Sequence, residues 1–120
     1  MIVFPKSKIN LGLRITGKRE DGYHNIETVF YPLNLCDALE IVENRSSGED
    51  RLTVTGINSP GLAGDNLVTR AIGKLRERHH VPPLRIHLHK AIPTGAGLGG
   101  GSSDAANTLK LVNRLFDLIR

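Results

Sequence analysis

Five of the chain's 13 glycines fall within the seven positions 95–101. They lie in the segment Pro93-Thr94-Gly95-Ala96-Gly97-Leu98-Gly99-Gly100-Gly101-Ser102-Ser103-Asp104-Ala105-Ala106. Glycine is costly to order, and it is needed where φ is positive or where a ligand must approach the backbone. Here the run separates an alternating apolar stretch from an amphipathic one, so it joins a strand to the start of a helix. The exposed N–H groups and the dipole at a helix start favour an anion, and Thr94, Ser102 and Ser103 add hydroxyl donors. A polyphosphate is the ligand that suits this arrangement. A flexible linker would seldom sit between a clean strand and a clean helix.

Three phosphate-loop patterns compete. The Walker pattern needs Lys and then Ser or Thr after its last glycine, and no Lys stands there. Gly95, Gly97 and Gly100 satisfy the dinucleotide spacing G-x-G-x-x-G, a weak match alone. That motif belongs to the first βα unit of its fold, with an acid roughly 20 residues further on; here long β-structure precedes it and the chain stops first. The protein-kinase loop lies between two strands, whereas a helix follows this one.

Other reactive residues give weaker signals. Lys8 alone reads as an ordinary strand lysine. His87 and His89 share one strand face, but with no evident third ligand they suit a surface better than a zinc site. Cys36, the single cysteine, excludes an internal disulfide framework and a multi-cysteine zinc site, and it reads as a small buried hydrophobe. Asp104 suits the positive end of a helix dipole.

The elements that must position these groups follow from periodicity. Ile9, Leu11, Leu13 and Ile15 alternate with polar residues or Gly, predicting a half-buried strand. A second β-rich run covers 26–35, broken by Pro32, and a third covers 38–43. Residues 51–55 alternate again and are expected to form a hairpin with the preceding strand. Asp65 or Asn66 can cap a helix carrying Leu67, Val68, Ala71, Ile72 and Leu75, ending near His79 before Val81-Pro82-Pro83. Leu84, Ile86 and Leu88, continued by Ala91-Ile92, give a fourth alternating strand. A helix is expected from about Ser103 to Leu118, with its apolar stripe at Ala105, Ala106, Leu109, Val112, Leu115, Phe116 and Ile119.

At 120 residues the chain allows one domain or part of one. Lys and Arg exceed Asp and Glu by 16 to 12, which leaves room for an anionic ligand. The basic residues are scattered, and the Phe and Tyr are too few for base-stacking platforms. No apolar run reaches the roughly 20 residues of a membrane helix, and the N-terminus lacks a secretory signal pattern. A cytoplasmic protein is the expectation.

The glycine segment resembles the phosphate-binding motif of the GHMP kinases, small-molecule kinases that include galactokinase, homoserine kinase and mevalonate kinase. Pro5-Lys6-Ser7-Lys8-Ile9-Asn10-Leu11, Asp21-Gly22-Tyr23-His24 and Asp65-Asn66-Leu67 are similar to further blocks of that family, in the same order over essentially the whole chain. The similarity is greatest to the branch acting on a cytidine diphosphate-linked methylerythritol in non-mevalonate isoprenoid biosynthesis. It implies an α+β fold of the ribosomal protein S5 domain 2-like type, and ATP-dependent phosphorylation of the 2-hydroxyl of that small-molecule substrate. It further implies catalytic roles for Lys8 and Asn10, and substrate binding by Tyr23 and His24. Asn66, Leu67, Lys90 and Thr94 are expected around ATP's adenine, with Pro93 also in the ATP site, Gly95, Ala96, Gly97, Leu98, Gly99, Gly100, Gly101, Ser102 and Ser103 at its phosphates and Asp104 at the helix start. Mg²⁺ is expected with ATP, held largely by phosphates and water, and no metal-ligating residue is singled out.

The family's catalytic aspartate lies in a later Gly-x-Asp-Val-Pro type segment, and the sequence contains none. The whole chain, 1–120, is therefore expected to be an incomplete N-terminal kinase domain, inactive alone and open to self-association. The alternatives are another GHMP-type small-molecule kinase, a non-catalytic nucleotide- or RNA-binding module, and a dinucleotide-dependent oxidoreductase.

Overall fold

The computed structural model describes residues 1–18, 20, 24–57, 67–93 and 98–118. In chain order its elements are β1 (Ile2–Val3), β2 (Lys6–Lys18), β3 (His24–Cys36), β4 (Ala38–Glu43), β5 (Arg51–Gly56), α1 (Leu67–Arg76), β6 (Leu84–Lys90) and α2 (Gly100–Phe116). The alternation in 84–90 translates directly into structure. Leu84, Ile86, Leu88 and Lys90 point inward from β6, and Arg85, His87 and His89 point outward. Leu39 and Ile41 of β4 join them under the helices, which contribute Val68, Ile72, Leu75, Leu111 and Val112.

The main sheet has the order β1-β4-β6-β5. β4 runs antiparallel to β1 and to β6, and β5 runs parallel to β6. The expected hairpin between β4 and β5 does not form, because β6 lies between them. Two features favour this. β6 has the most regular buried face and accepts partners on both edges. The connection 44–50 is also shaped by its own hydrogen bonds rather than by a tight turn: Asn44 Nδ2 donates to Glu49 O at 2.8 Å, and Ser46 Oγ donates to Asn44 Oδ1 at 2.9 Å. β5, α1 and β6 thus form a β-α-β crossover, the connection that parallel strands require. Arg76, at the end of α1, grips the Asp50 carboxylate, and Asp50 Oδ1 accepts the Leu84 amide at 2.8 Å. β1 is too short for its pattern to be read in sequence.

Helix limits differ from expectation. α1 ends at Arg76, and 77–79 continue as a turn closed by His79 N–H to Leu75 O at 2.9 Å. Its expected caps, Asp65 and Asn66, lie outside the described residues. α2 begins three residues earlier than expected, inside the glycine run, and ends at Phe116. Its inner face is Gly100, Asp104, Thr108, Leu111 and Val112, not a stripe through Ala106 and Leu109, which are exposed. The apolar count misleads because two polar residues find partners on the inner face. Thr108 Oγ1 donates back to Asp104 O at 2.8 Å, and Asp104 is buried against a lysine. Ile119 lies outside the described residues.

β2 and β3 form a separate two-stranded ribbon with register shifts at Lys6/Lys8, Asn10/Leu13 and Ile15/Gly17. β3 runs continuously through Pro32, which pairs with Lys8 at the first shift. The expected half-buried face is not present at Ile9 and Leu11. Leu11 is 59% exposed, and Val29, Phe30 and Tyr31 opposite are similarly open. Cys36, at the ribbon's end, is only partly buried, with a free thiol. The chain is elongated, 50 × 32 × 26 Å, with a radius of gyration of 16.0 Å, against roughly 14 Å for a compact chain of this length.

The core assignment is testable by chemical denaturation. Ile86→Ala, deleting a fully buried side chain on the central strand, is expected to cost about 2–5 kcal/mol, whereas Thr53→Ala on the exposed side of β5 should change stability by less than about 0.5 kcal/mol.

Candidate functional site

α2 starts without a side-chain cap. Gly99 takes the N-cap position at φ 69°, ψ 21°, in the left-handed region that glycine tolerates best. The Ser103 amide donates to Gly99 O at 3.0 Å. The earlier amides, 100–102, have no carbonyl within the helix to bond, so the helix presents its first-turn N–H groups and its positive dipole end. Gly100 serves a different need. A Cβ there would stand 2.7 Å from Ile92 Cγ2, so its missing side chain lets the helix start pack directly on the end of the β6 segment.

Lys8 is brought to the same place by the main chain. Its N–H donates to Leu98 O at 2.9 Å, tying β2 to the residue before the N-cap. Its side chain runs across Gly99, where a Cβ would meet Lys8 Cε at 2.9 Å, and its Nζ lies 4.7 Å from the centre of the Phe30 ring. The register shift at Lys6/Lys8 sets this orientation. Ser7 is buried and donates to Leu35 O at 2.7 Å, while Lys8 stays partly exposed. Such irregularities often re-aim side chains beside active sites. A partly exposed lysine and an uncapped helix start thus share one location, which suits a phosphate group.

Beneath them lies a cluster the sequence did not reveal. Lys90 Nζ donates to Asp37 Oδ2 at 2.6 Å and to Asp104 Oδ2 at 2.8 Å, and the three side chains are 7%, 0% and 3% exposed. Asp37 Oδ1 also accepts the amides of Ala91 and Ile92 at 2.8 and 2.9 Å, and the Asp37 amide donates to Pro5 O at 2.9 Å. Burial pushes the Asp37 carboxyl up, but hydrogen bonding with Asp104, Lys90 and the two amides outweighs it and holds the group below its ordinary value. Burial also opposes the Lys90 charge, yet its two carboxylate partners raise it above the ordinary lysine value. Asp104 is pushed up to about 7, first by burial and then by the neighbouring Asp37, with Lys90 opposing. Its Oδ1 is buried without a hydrogen-bond partner among the described residues.

The structure therefore brings together Lys8, Leu98, Gly99, Gly100, Gly101, Ser102 and Ser103. Leu67 is near, its Cδ1 standing 3.0 Å from where a Gly101 Cβ would be. Asp104 is not at the helix start but one turn in, where it faces Lys90. The Lys90 ammonium points into the cluster, and its carbonyl accepts the Ile57 amide at 2.9 Å. Pro93 is exposed. Asn10 and His24 are described through their strand backbone; His24 pairs with Lys18 at the far end of the ribbon, beyond two register shifts. Tyr23, Asn66, Thr94, Gly95, Ala96 and Gly97 lie outside the described residues. His87 and His89 are exposed and share Thr55 Oγ1, 2.9 Å from a ring nitrogen of each. Among the described residues no group of three or more His, Cys, Asp or Glu is placed to hold a metal, and no helix is long and apolar enough to cross a membrane.

The second carboxylate has a measurable consequence. A carboxyl raised in the folded state binds its proton more tightly folded than unfolded. Its contribution to stability is then largest at low pH and declines as pH rises from the ordinary 3.8 towards 7. Urea titrations should show wild type losing stability relative to Asp104→Asn across that range. A constant difference between the two would remove the assignment.

Comparison with known proteins agrees with this geometry. The family model described as "GHMP kinases N terminal domain" matches residues 66–119. The chain is 60% identical over 118 residues to 4-diphosphocytidyl-2-C-methyl-D-erythritol kinase of Porphyromonas gingivalis, covering 98% of this chain and 43% of the relative. It is 53% identical to the protein of the same name from Cytophaga hutchinsonii, with the same coverage. The chain thus spans less than half the length of the curated relatives it matches. A crystal structure of 4-(cytidine 5'-diphospho)-2C-methyl-D-erythritol kinase superposes with a TM-score of 0.79 at 37% identity, covering 100% of this chain and 42% of that one. Mevalonate kinase of Methanococcus jannaschii shares the fold, with a TM-score of 0.65 at 19% identity. Residues 66–119 are thus similar to the N-terminal domain of the GHMP kinases, and nearly the whole chain is similar to less than half of each of these kinases.

Proposed function

We propose that this chain supplies the nucleotide-phosphate side of an ATP-dependent small-molecule kinase. The polypeptide spanning the full length of its relatives would phosphorylate the 2-hydroxyl of 4-diphosphocytidyl-2-C-methyl-D-erythritol. The observation that carries the reading is the convergence of the Lys8 side chain on the uncapped start of α2. Phosphoryl transfer asks a protein mainly for positioning and for charge stabilisation, and these two features supply both. The similarity to kinases of that name at up to 60% identity supports the choice of substrate.

In this reading the first-turn amides of α2 and the hydroxyls of Ser102 and Ser103 bind the nucleotide's phosphates. The Lys8 ammonium contacts the transferred phosphoryl group and the acceptor hydroxyl, with Asn10 beside it. Tyr23 and His24 hold the cytidine. Asn66, Leu67, Pro93 and Thr94 surround the adenine, and Lys90 contributes there through its main chain, since its side chain is engaged in the buried cluster. Gly95, Ala96 and Gly97 extend the phosphate segment. Mg²⁺ would neutralise phosphate charge when bound, held largely by phosphates and water. A cytoplasmic location belongs to the same proposal. The 120-residue chain alone would bind nucleotide weakly and turn over little.

Calorimetric titration with Mg-ATP tests this reading. Binding is expected in the wild type and should fall below detection in Gly99→Val, which puts a side chain on a positive-φ backbone and into the path of Lys8. Ser102→Ala should weaken it by about ten- to a hundredfold, the value of one hydrogen bond to a charged group. Mg-ATP binding absent from both this chain and the longer polypeptide would overturn the kinase reading. Saturable RNA binding in its place would favour a non-catalytic module.

A further inference from the structure

The segment between Ile92 and Gly100 is held at both ends by one buried cluster. Before it, the amides of Ala91 and Ile92 donate to Asp37 Oδ1, and Lys90 donates to Asp37 Oδ2. After it, Asp104 on the inner face of α2 accepts from the same Lys90 ammonium. Asp37 is far from the segment in sequence. It sits between β3 and β4, and its own amide donates to Pro5 O, just ahead of the strand that carries Lys8. One residue therefore links the end of β6 through its carboxylate, the start of β2 through its amide, and the start of α2 through Lys90.

We propose that Asp37 is a positioning residue: acting through Lys90 and Asp104, it fixes the start of α2 relative to β6 and to Lys8, and so sets the spacing between the phosphate-facing amides and the lysine that meets the same phosphates. The proposal rests on the nucleotide-binding reading for its functional consequence, and on the hydrogen bonds alone for its structural one.

The composition of the cluster adds a second property. Two carboxylates share one ammonium, and one Asp104 oxygen is buried without a partner. With both acids ionised the cluster carries one excess negative charge behind a site that would receive a polyphosphate. The charged groups facing Asp104 among the described residues are Lys90 from β6 and Asp37 from the β3–β4 junction, with Lys8 from β2 lying across the helix start. Protonation of Asp104 removes the excess charge. Its carboxyl is held at about 7, so this happens near neutrality.

The test combines amide hydrogen exchange with Mg-ATP titration on the 120-residue chain and its D37N and D104N variants. D37N keeps an acceptor for the two amides but loses the charge that pairs with Lys90. Exchange in D37N should accelerate about tenfold at Ala91 and Ile92 and also at Ser103 and Lys8, which Asp37 does not touch, with Ile86 and Leu88 unchanged. Mg-ATP affinity in D37N should fall by about tenfold, one charge-assisted hydrogen bond's worth of geometry. Wild-type affinity should rise as pH falls through about 7, and D104N should show no such step. Faster exchange confined to Ala91 and Ile92, with wild-type affinity, would reduce Asp37 to a local structural acid and overturn the proposal. Should D37N fail to fold, D104N decides: exchange at Ser103 and Lys8 unchanged from wild type would overturn the coupling equally. If wild type binds no Mg-ATP at any pH, the nucleotide reading fails, and the Ser103 and Lys8 amides decide the structural coupling by themselves.

Discussion

A single buried ammonium holds this domain's ends together. Lys90 closes the central strand of the sheet, and its alternating neighbours place its side chain inward, where a long basic residue is least expected. A lone charge there would be prohibitive. Asp37 and Asp104 make it tolerable, and each brings a different part of the chain with it. Such clusters contribute modestly to net stability, because desolvation offsets most of the attraction, but removing one partner strands the others at a cost of about 3–5 kcal/mol. Their value lies in fixing which segments meet.

The site follows from that constraint. Because Asp104 must reach Lys90, α2 is drawn onto the sheet at its N-terminal end, and the helix start has to pass close to Ile92. Only glycine fits at position 100, and only a residue tolerant of positive φ suits position 99. The glycines thus do two jobs that need no ligand, left-handed geometry and close packing, and the uncapped amides are the product. Lys8 is held at the same place by the hydrogen bond from its amide to Leu98 O and by the neighbouring Ser7 hydroxyl, which donates to Leu35 O.

Much of this was legible in sequence. The alternation of Leu84, Ile86 and Leu88 and the stripe of Val68, Ala71, Ile72 and Leu75 report buried faces directly, because each is uniformly apolar. The glycine run and the residues about Lys8 carried the family resemblance, and the fold agrees with it. Misreadings arose where polar residues are buried or apolar ones exposed. Asp104 and Thr108 fall outside the apolar stripe expected for α2 yet occupy its inner face, while Leu109, within that stripe, is exposed. Ile9 and Leu11 alternate as a buried face would, yet lie open on the ribbon. The hairpin between β4 and β5 was misread because adjacency in sequence favours it, and only the long-range pairing of β6 excludes it. Asp37 gave one faint signal, a lone carboxylate between two apolar strands, whose partner lies 53 residues away.

The buried cluster is the feature on which site, helix start and loop ends all depend, and the ionisation of its acids can be observed directly. Carbon-13 side-chain carboxyl shifts should be followed by NMR as a function of pH in wild-type protein. Asp37 is expected to remain ionised down to below the ordinary 3.8, and Asp104 to titrate near 7. Two carboxyls titrating together near 3.8 would mean that neither is buried against Lys90, and the constraint described here would not exist.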